Sequence, residues 1–331
     1  MKRHVALIFA GVFFWAVSAG AKTVGWSDNG SEKGSAEAGM PTGWERPGLL
    51  KQIAVYEEAA RKGEAARSPS GNLAKVYVGL ASMYADLAMY TRAEQAISRG
   101  IALLRQDTEL KQAELAAAIE DKAMLHATMG ELAKGEKEGQ EALKIRLKLG
   151  DQAAIGASYR QLATLYLKRR EFKKSVEFGQ RATDAIGDDS RVNTEDWVAV
   201  RFTMGRALCE SGSCGRAIPL LQQAIEHAKV AYGEKSRAVG MGCFQLGYTY
   251  WRDGEIVDAA RWLERGTALM KVELGWGHPV YINALRDYAK FLRQHGTTES
   301  ALAVEREIHQ ADAKVDVNSM TGMPAQAASL R

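Results

Sequence analysis

The most constraining feature of this sequence is a small residue that recurs at nearly constant spacing. Six segments align without a gap, and the small residue at the third position of each is separated from the next by 42, 40, 42, 42 and 42 residues. We call it the reference position; its occupants are Ala81, Ala123, Ala163, Gly205, Gly247 and Ala289. A fixed period of this length indicates a repeat architecture.

Two further small positions follow in each repeat. Twelve residues after the reference position lie Ala93, Gly135, Ser175, Ala217, Ala259 and Ala301. Nineteen residues after it lie Gly100, Ala142, Ala182, Ala224 and Gly266, and only the last repeat differs, with Ile308. Small residues at the crossing points allow two antiparallel helices to approach closely. The pattern therefore predicts one helical hairpin in each repeat.

Two other positions predict how each hairpin is filled and where its first helix ends. Three residues after the reference position lie Tyr84, His126, Tyr166, Leu208, Tyr250 and Leu292. These bulky residues are expected in the hairpin core, with Tyr250 buried. Seven residues after the reference position lie Ala88, Gly130, Arg170, Gly212, Gly254 and Gly296. A glycine there is expected to end the helix in the left-handed conformation, and Arg170 is the departure.

The lines "QLATLYLKRREFKKS" and "QLGYTYWRDGEIVDAA" resemble tetratricopeptide repeats. The 42-residue period exceeds the 34 of the basic repeat and is similar to the long variety of kinesin light chains and bacterial sensors and scaffolds. The resemblance implies an all-α, right-handed α-solenoid of about six antiparallel helix hairpins over residues 71–310. An amphipathic segment within residues 48–70 is expected to be the N-terminal capping helix, because solenoid ends need a cover.

The N-terminal segment predicts export. Lys2, Arg3 and His4 precede an apolar run, and Ala19-Gly20-Ala21 offers a cleavage site, so residues 1–21 have the layout of a signal peptide. The expected location is periplasmic or secreted, with no stable membrane span after cleavage. The alternative is an uncleaved anchor in the inner membrane, although the apolar run is shorter than the ~20 residues of a spanning helix.

Two further segments have the composition of irregular chain. Residues 22–47 are rich in Gly, Ser and charge, and are predicted to be a flexible linker. Residues 311–331 contain few large apolar side chains and are predicted to be a disordered tail.

No catalytic or metal-binding pattern stands out. No two histidines have ligand spacing, and His278 before Pro279 is expected to cap a helix. The prediction is therefore no enzyme, no metal and no cofactor. Cleavage after Ala21 leaves 42 basic and 40 acidic residues, a balance that does not indicate nucleic acid. Cys209 and Cys214 are either a disulfide or two thiols, and Cys243 is left over in both cases.

In the family that the chain resembles, first helices line a concave groove. Positions six and three before the reference position, and one and four after it, form one helical stripe. In the C-terminal repeats this stripe holds the predicted partner-binding residues, namely Phe202, Arg206, Phe244, Tyr248, Trp251, Arg286, Lys290 and Arg293. Aromatic residues and arginine dominate binding hot spots. The alternative is that the aromatic residues pack between neighbouring repeats.

These features favour a non-catalytic interaction scaffold of the cell envelope. Its expected partner is a protein or peptide that carries carboxylates, because arginine binds carboxylates in bidentate geometry. A receptor for a small ligand or a peptide signal, using the same groove, is the alternative.

Overall fold

The computed structural model describes residues 46–66, 70–87, 89–106, 111–187, 194–275 and 278–321. The predicted signal peptide, most of the predicted linker and position 88 lie outside these residues. The described chain is built from thirteen α-helices. They are α1 (Arg46–Ala65), α2 (Ser70–Asp86), α3 (Tyr90–Arg105), α4 (Gln112–Thr128), α5 (Leu132–Leu149), α6 (Gln152–Lys168), α7 (Phe172–Ile186), α8 (Thr194–Glu210), α9 (Cys214–Tyr232), α10 (Arg237–Asp253), α11 (Ile256–Leu274), α12 (Pro279–His295) and α13 (Thr298–Thr321).

The helices pack as six consecutive hairpins, from α2/α3 to α12/α13, and α1 packs on α2. The first helix of each later hairpin also contacts the second helix of the hairpin before it. In addition, α4 contacts α6, α6 contacts α8 and α8 contacts α10, whereas no comparable contact joins successive second helices of the described chain. From α4 to α10 the first helices are therefore closer together than the second helices. The all-α solenoid predicted from the repeat is confirmed, with first helices on its inner face.

The small residues lie at the crossing points of the hairpins. The alanines at the reference position and twelve residues later are all buried. A Cβ atom added to Gly205 would lie 2.6 Å from Leu221 Cδ2, and one added to Gly247 would lie 2.6 Å from the backbone nitrogen of Leu263. Real Cβ contacts are longer, so these positions exclude larger side chains. The hairpin interpretation of the small residues is confirmed.

The turn after each first helix matches the prediction in four repeats. Gly130, Gly212 and Gly254 have φ of 85°, 87° and 92°, and Arg170 has φ of 62° in the same left-handed region. Gly296 does not, since its φ of −103° and ψ of −162° are extended. The expectation of a left-handed stop is therefore wrong for the last repeat.

Both ends of the solenoid differ from the predicted boundaries. Helix α1 begins at Arg46, inside the predicted linker, and ends at Ala65. Helix α13 continues to Thr321, so the disorder predicted from residue 311 is wrong as far as that residue. Extending an existing helix adds one hydrogen bond for each residue fixed, so a helix can continue without apolar burial. Residues 322–331 lie outside the described chain.

Candidate functional site

The stripe that the sequence assigns to a groove faces the following repeat along much of the solenoid. Lys75 Nζ on α2 lies 3.0 Å from a carboxylate oxygen of Glu114 on α4. Arg160 Nε on α6 donates to Asp196 Oδ1 on α8 over 2.5 Å. Thr164 Oγ1 lies 3.5 Å from Thr203 Oγ1 across the same pair of helices. These stripe positions therefore form the contact between successive first helices.

Phe202 shows the consequence most clearly. It is 5% exposed and belongs to the hydrophobic core of α8, α9 and α10. A Cβ atom on Gly242 of α10 would lie 2.6 Å from Phe202 Cζ. Gln245 Nε2 donates to the Phe202 carbonyl over 2.5 Å. Phe202 is thus a core residue, and its assignment to a partner-binding groove is wrong.

Phe244 and Trp251 also pack between repeats. Phe244 is half-buried against apolar clusters that include residues of both α11 and α12. The Trp251 ring meets the Phe291 ring of α12 edge to face, with centroids 5.6 Å apart and planes at 83°. For these two residues the alternative interpretation, packing between neighbouring repeats, is the one that the structure supports.

Each residue of the predicted basic row has a polar partner within its own hairpin, and two of the three are paired with carboxylates. Lys290 Nζ lies 2.7 Å from Asp287 Oδ1 on α12, and Arg293 Nε lies 2.5 Å from Glu305 Oε1 on α13. Arg286 Nη1 donates to Asn283 Oδ1 over 3.1 Å. Arg286, Lys290 and Arg293 are exposed because no further helix of the described chain follows α13. Lys290 and Arg293 are therefore already paired with carboxylates, and Lys290 is linked through Asp287 to Arg206 and Tyr248.

Arg206 and Tyr248 are brought together on the inner face, with partners that the stripe does not contain. The Tyr248 hydroxyl donates to Glu210 Oε1 over 3.5 Å. Burial raises the pKa of Tyr248, and the Glu210 carboxylate raises it further. Burial lowers the pKa of Lys168, and the nearby Arg206 guanidinium adds to this effect. Arg206 also interacts with Asp287 of α12.

We call this set the inner-face cluster, and its members are Lys168, Arg206, Glu210, Tyr248 and Asp287. The first helices of repeats three to six each contribute to it. Two cations, two carboxylates and a phenol at the inner surface can hydrogen-bond an extended ligand that crosses several repeats. The arrangement therefore provides side chains that can bind a ligand. Among the described residues, no cluster of His, Cys, Asp and Glu side chains could hold a metal ion. The absence of a cofactor stays a prediction.

The sequence interpretation missed Lys168, Glu210 and Asp287, and Asp287 is the most buried of the three. It is 6% exposed, its Oδ1 accepts from Lys290 Nζ over 2.7 Å, and its Oδ2 is buried without a hydrogen-bond partner. Burial raises its pKa, and the cations Lys290 and Arg206 oppose that rise. A signal was present in the sequence. Two residues before the reference position, five repeats carry a polar side chain, namely Asp121, Gln161, Thr203, Gln245 and Asp287.

Other predictions have mixed outcomes. His278 caps α12 as expected, since its Nδ1 accepts from the Val280 N–H over 3.2 Å. Tyr250 is only half-buried, and its hydroxyl accepts from Gln222 Nε2 over 3.1 Å, so the prediction of a buried side chain is wrong. The phenol oxygen needs a polar partner, which is found at the surface of α9.

The cysteine question is settled in favour of the bond. Cys209 and Cys214 form a disulfide across the turn between α8 and α9, and both residues are buried. Cys243 is free and buried, and burial raises its pKa to about 11. That thiol is therefore protonated and unreactive at neutral pH.

The chain was compared with known protein families, curated proteins and solved structures. No protein-family model and no curated protein matches the sequence. Among solved structures, the apo form of RapI is 14% identical, with a TM-score of 0.66 over 82% of this chain and 94% of RapI. A Rap protein complexed with Competence and Sporulation Factor is 12% identical, with a TM-score of 0.58 over 80% of this chain and 77% of that one.

A third structure matches the repeat type. It is a kinesin-light-chain-type protein from Podosopora anserina with nearly identical TPR-like repeats, 17% identical, with a TM-score of 0.51 over 61% of this chain and 96% of that one. The chain has the tetratricopeptide-repeat fold. The predicted resemblance is therefore confirmed at the level of the fold. None of the described helices is long and apolar enough to cross a membrane.

Proposed function

We propose that this chain is a non-catalytic interaction scaffold of the cell envelope that binds a protein or peptide on the inner face of its solenoid. The inner-face cluster carries this proposal, because it collects binding groups from four consecutive repeats. Other stripe positions, among them Phe202, Phe244 and Trp251, are used in packing between repeats. Groups at this spacing suit an extended partner more than a compact metabolite, since they follow the solenoid axis.

Two observations support export. The first is the signal-peptide layout of residues 1–21. The second is the disulfide between Cys209 and Cys214, because disulfides persist in oxidising compartments and are rare in the cytosol. Cell fractionation with and without residues 1–21, combined with thiol alkylation of the recovered chain, tests the location. A cytoplasmic chain with three alkylated thiols would reject export.

The two neighbouring cations of the inner-face cluster support an acidic partner segment. Lys168 and Arg206 are close enough for their repulsion to contribute to the lowered pKa of Lys168. A partner carboxylate between them would relieve that repulsion through charge-assisted hydrogen bonds. This moves the proposed acidic contact from the exposed basic row of α12 to the boundary between repeats three and four.

Site-specific photo-crosslinking in the native compartment tests the inner face. A crosslinking residue at Arg252, which is exposed and close enough to Tyr248 to lower its pKa, should capture a partner. The matched control is Val257, which is 86% exposed at the start of α11, a second helix. Capture of one protein from position 252 and not from 257 supports the proposal. Equal capture from both positions, or none, would count against it.

A receptor for a small ligand or a peptide signal is the second candidate. It is favoured by one observation, namely that a similar structure is a Rap protein complexed with Competence and Sporulation Factor. A ligand that binds only the folded state raises the melting temperature, and the stabilisation grows with the logarithm of its concentration above Kd. Thermal-shift screening with metabolites and short peptides separates the two. A large shift with a free metabolite and no crosslinked protein would favour the receptor.

A further inference from the structure

One oxygen of Asp287 has no hydrogen-bond partner among the residues that the structure describes. Its Oδ1 is held by Lys290 Nζ at 2.7 Å, whereas Oδ2 is buried and lacks a hydrogen-bond partner. The great majority of buried polar atoms in native structures do have a partner. An unpartnered carboxylate oxygen in a buried site costs stability, because it has lost its hydrogen bonds to water and formed none in their place. The ion pair with Lys290 accounts for Oδ1 of Asp287 and leaves Oδ2 unexplained.

The surroundings of Asp287 define what can bind there. Arg206 and Lys290 both place positive charge beside the carboxylate, and both lower its pKa. A third cation, such as a ligand ammonium, would face repulsion from the two already present. A neutral N–H donor would not. The phenol of Tyr248 is near enough for the Asp287 charge to raise its pKa.

We propose that Asp287 Oδ2 accepts a hydrogen bond from a main-chain N–H of an extended peptide bound on the inner face. This inference rests on the proposed function, and it adds the position of one contact and the direction in which the bound peptide runs. The peptide carboxylate lies toward Lys168 and Arg206, and its main-chain N–H lies toward repeat six. Lys290, whose side chain is 46% exposed, is the neighbouring group that can move aside as the peptide reaches Oδ2.

The test uses peptides selected on the purified chain from a phage-displayed library of random sequences of roughly a dozen residues. A selected peptide is synthesised with each backbone N–H replaced in turn by N-methyl, which removes one donor at a time. We expect one position at which N-methylation weakens binding to the wild-type chain about tenfold, since a hydrogen bond to a charged group has that effect. In Asp287→Leu the same N-methyl group should weaken binding less than twofold, because no acceptor is left to lose.

Two controls keep the result interpretable. Asp287→Ala is measured beside Asp287→Leu, and the thermal melting of each shows whether it is folded. Asp86→Ala, which changes an exposed aspartate at the end of α2, should retain the full tenfold effect. An N-methyl effect that stays tenfold in both Asp287 variants, or that is absent at every position, would overturn this inference alone. A library that yields no binding peptide would overturn the proposed function and this inference together.

Discussion

The junction between repeats two and three and the junction between repeats four and five use the same stripe position in opposite ways. In α4 the position holds Glu120, which is 3% exposed; it accepts from Arg146 Nε at 3.0 Å and Nη2 at 2.7 Å, and from the Ser158 hydroxyl of α6. In α8 it holds Phe202, whose ring lies against Gly242 of α10. The repeat therefore determines the position of this side chain between successive first helices. It does not determine whether the side chain is polar or apolar.

The two solutions fail in different ways. A buried ion network is sensitive to the loss of either partner, because the remaining charge is left without compensation. A ring packed on a glycine is sensitive to volume, because protein interiors are close-packed. Substitutions at these junctions can therefore establish whether the N-terminal and C-terminal halves are held by distinct interactions.

The largest effect is expected from Glu120→Ala. Removal of this carboxylate leaves the guanidinium of Arg146 mostly buried and without its bidentate partner. We expect the free energy of unfolding to fall by about 3 kcal/mol. Urea denaturation measures it, with Glu177→Ala as the control because its ion pair with Arg181 is exposed and contributes less than about 0.5 kcal/mol. Equal losses in both variants would show that the Glu120 network does not hold its junction.

Gly242→Ala tests the apolar junction between repeats four and five. The new methyl group would lie 2.6 Å from Phe202 Cζ and 2.8 Å from Ile225 Cγ1, which forces both neighbours to shift. We expect a loss of about 1–3 kcal/mol from overpacking. Adding Phe202→Leu should recover part of that loss, since the smaller side chain leaves room. A double-mutant cycle measures the coupling, and simple additivity would contradict the contact.

The N-terminal caps of two helices, one in each half of the chain, differ in how their stability depends on pH. Asp151 caps α6 through its carboxylate, which accepts from the Ala154 N–H, whereas α12 is capped by the His278 imidazole. Burial, and then Arg237, lower the pKa of His278 to about 4. The unfolded chain therefore binds more protons between pH 6.5 and 4, and stability falls as the pH decreases through that window.

His278→Asn should remove this dependence while keeping a side-chain oxygen at the cap. After allowance for partial exposure to solvent, we expect the variant to equal wild type at pH 7 and to exceed it by roughly 1–2 kcal/mol near pH 4. Thermal melts over this pH range measure the difference. A constant difference at all pH values would assign the effect to packing and not to protonation.

The smallest effect is expected in the turns. Arg170 adopts φ of 62° where repeats two, four and five use glycine. A left-handed conformation costs a non-glycine residue about 1 kcal/mol, partly offset here by the guanidinium above the Phe172 ring at 5.7 Å. Arg170→Gly should therefore stabilise the chain by about 0.5 kcal/mol, and Gly212→Ala should destabilise it by about 1 kcal/mol. Chemical denaturation that shows the opposite signs would contradict this account of the turns.

The sequence alone predicts the hairpins well, because small residues at Ala81, Ala93 and their equivalents have no other reason to recur at fixed spacing. It predicts the cap of α12 for the same kind of local reason. The role of the stripe is harder to predict. A helix in a solenoid has two faces besides the one in its hairpin core, and the periodicity does not indicate which of them packs against the next repeat. Asp287 and Arg206 interact although they lie two repeats apart in sequence, and no pattern within a single repeat predicts such a pair.

The closer approach of the first helices has a mechanical consequence. A stack of hairpins whose first helices are in contact and whose second helices are farther apart can bend. Its curvature then changes as neighbouring hairpins rotate about the line of contacts between first helices. Bending therefore loads the contacts between first helices, which include the ion pair of Arg160 with Asp196 at α6–α8 and the ring contact of Trp251 with Phe291 at α10–α12. The two kinds of contact respond differently to salt, because dissolved ions screen an ion pair and leave a contact between rings unchanged.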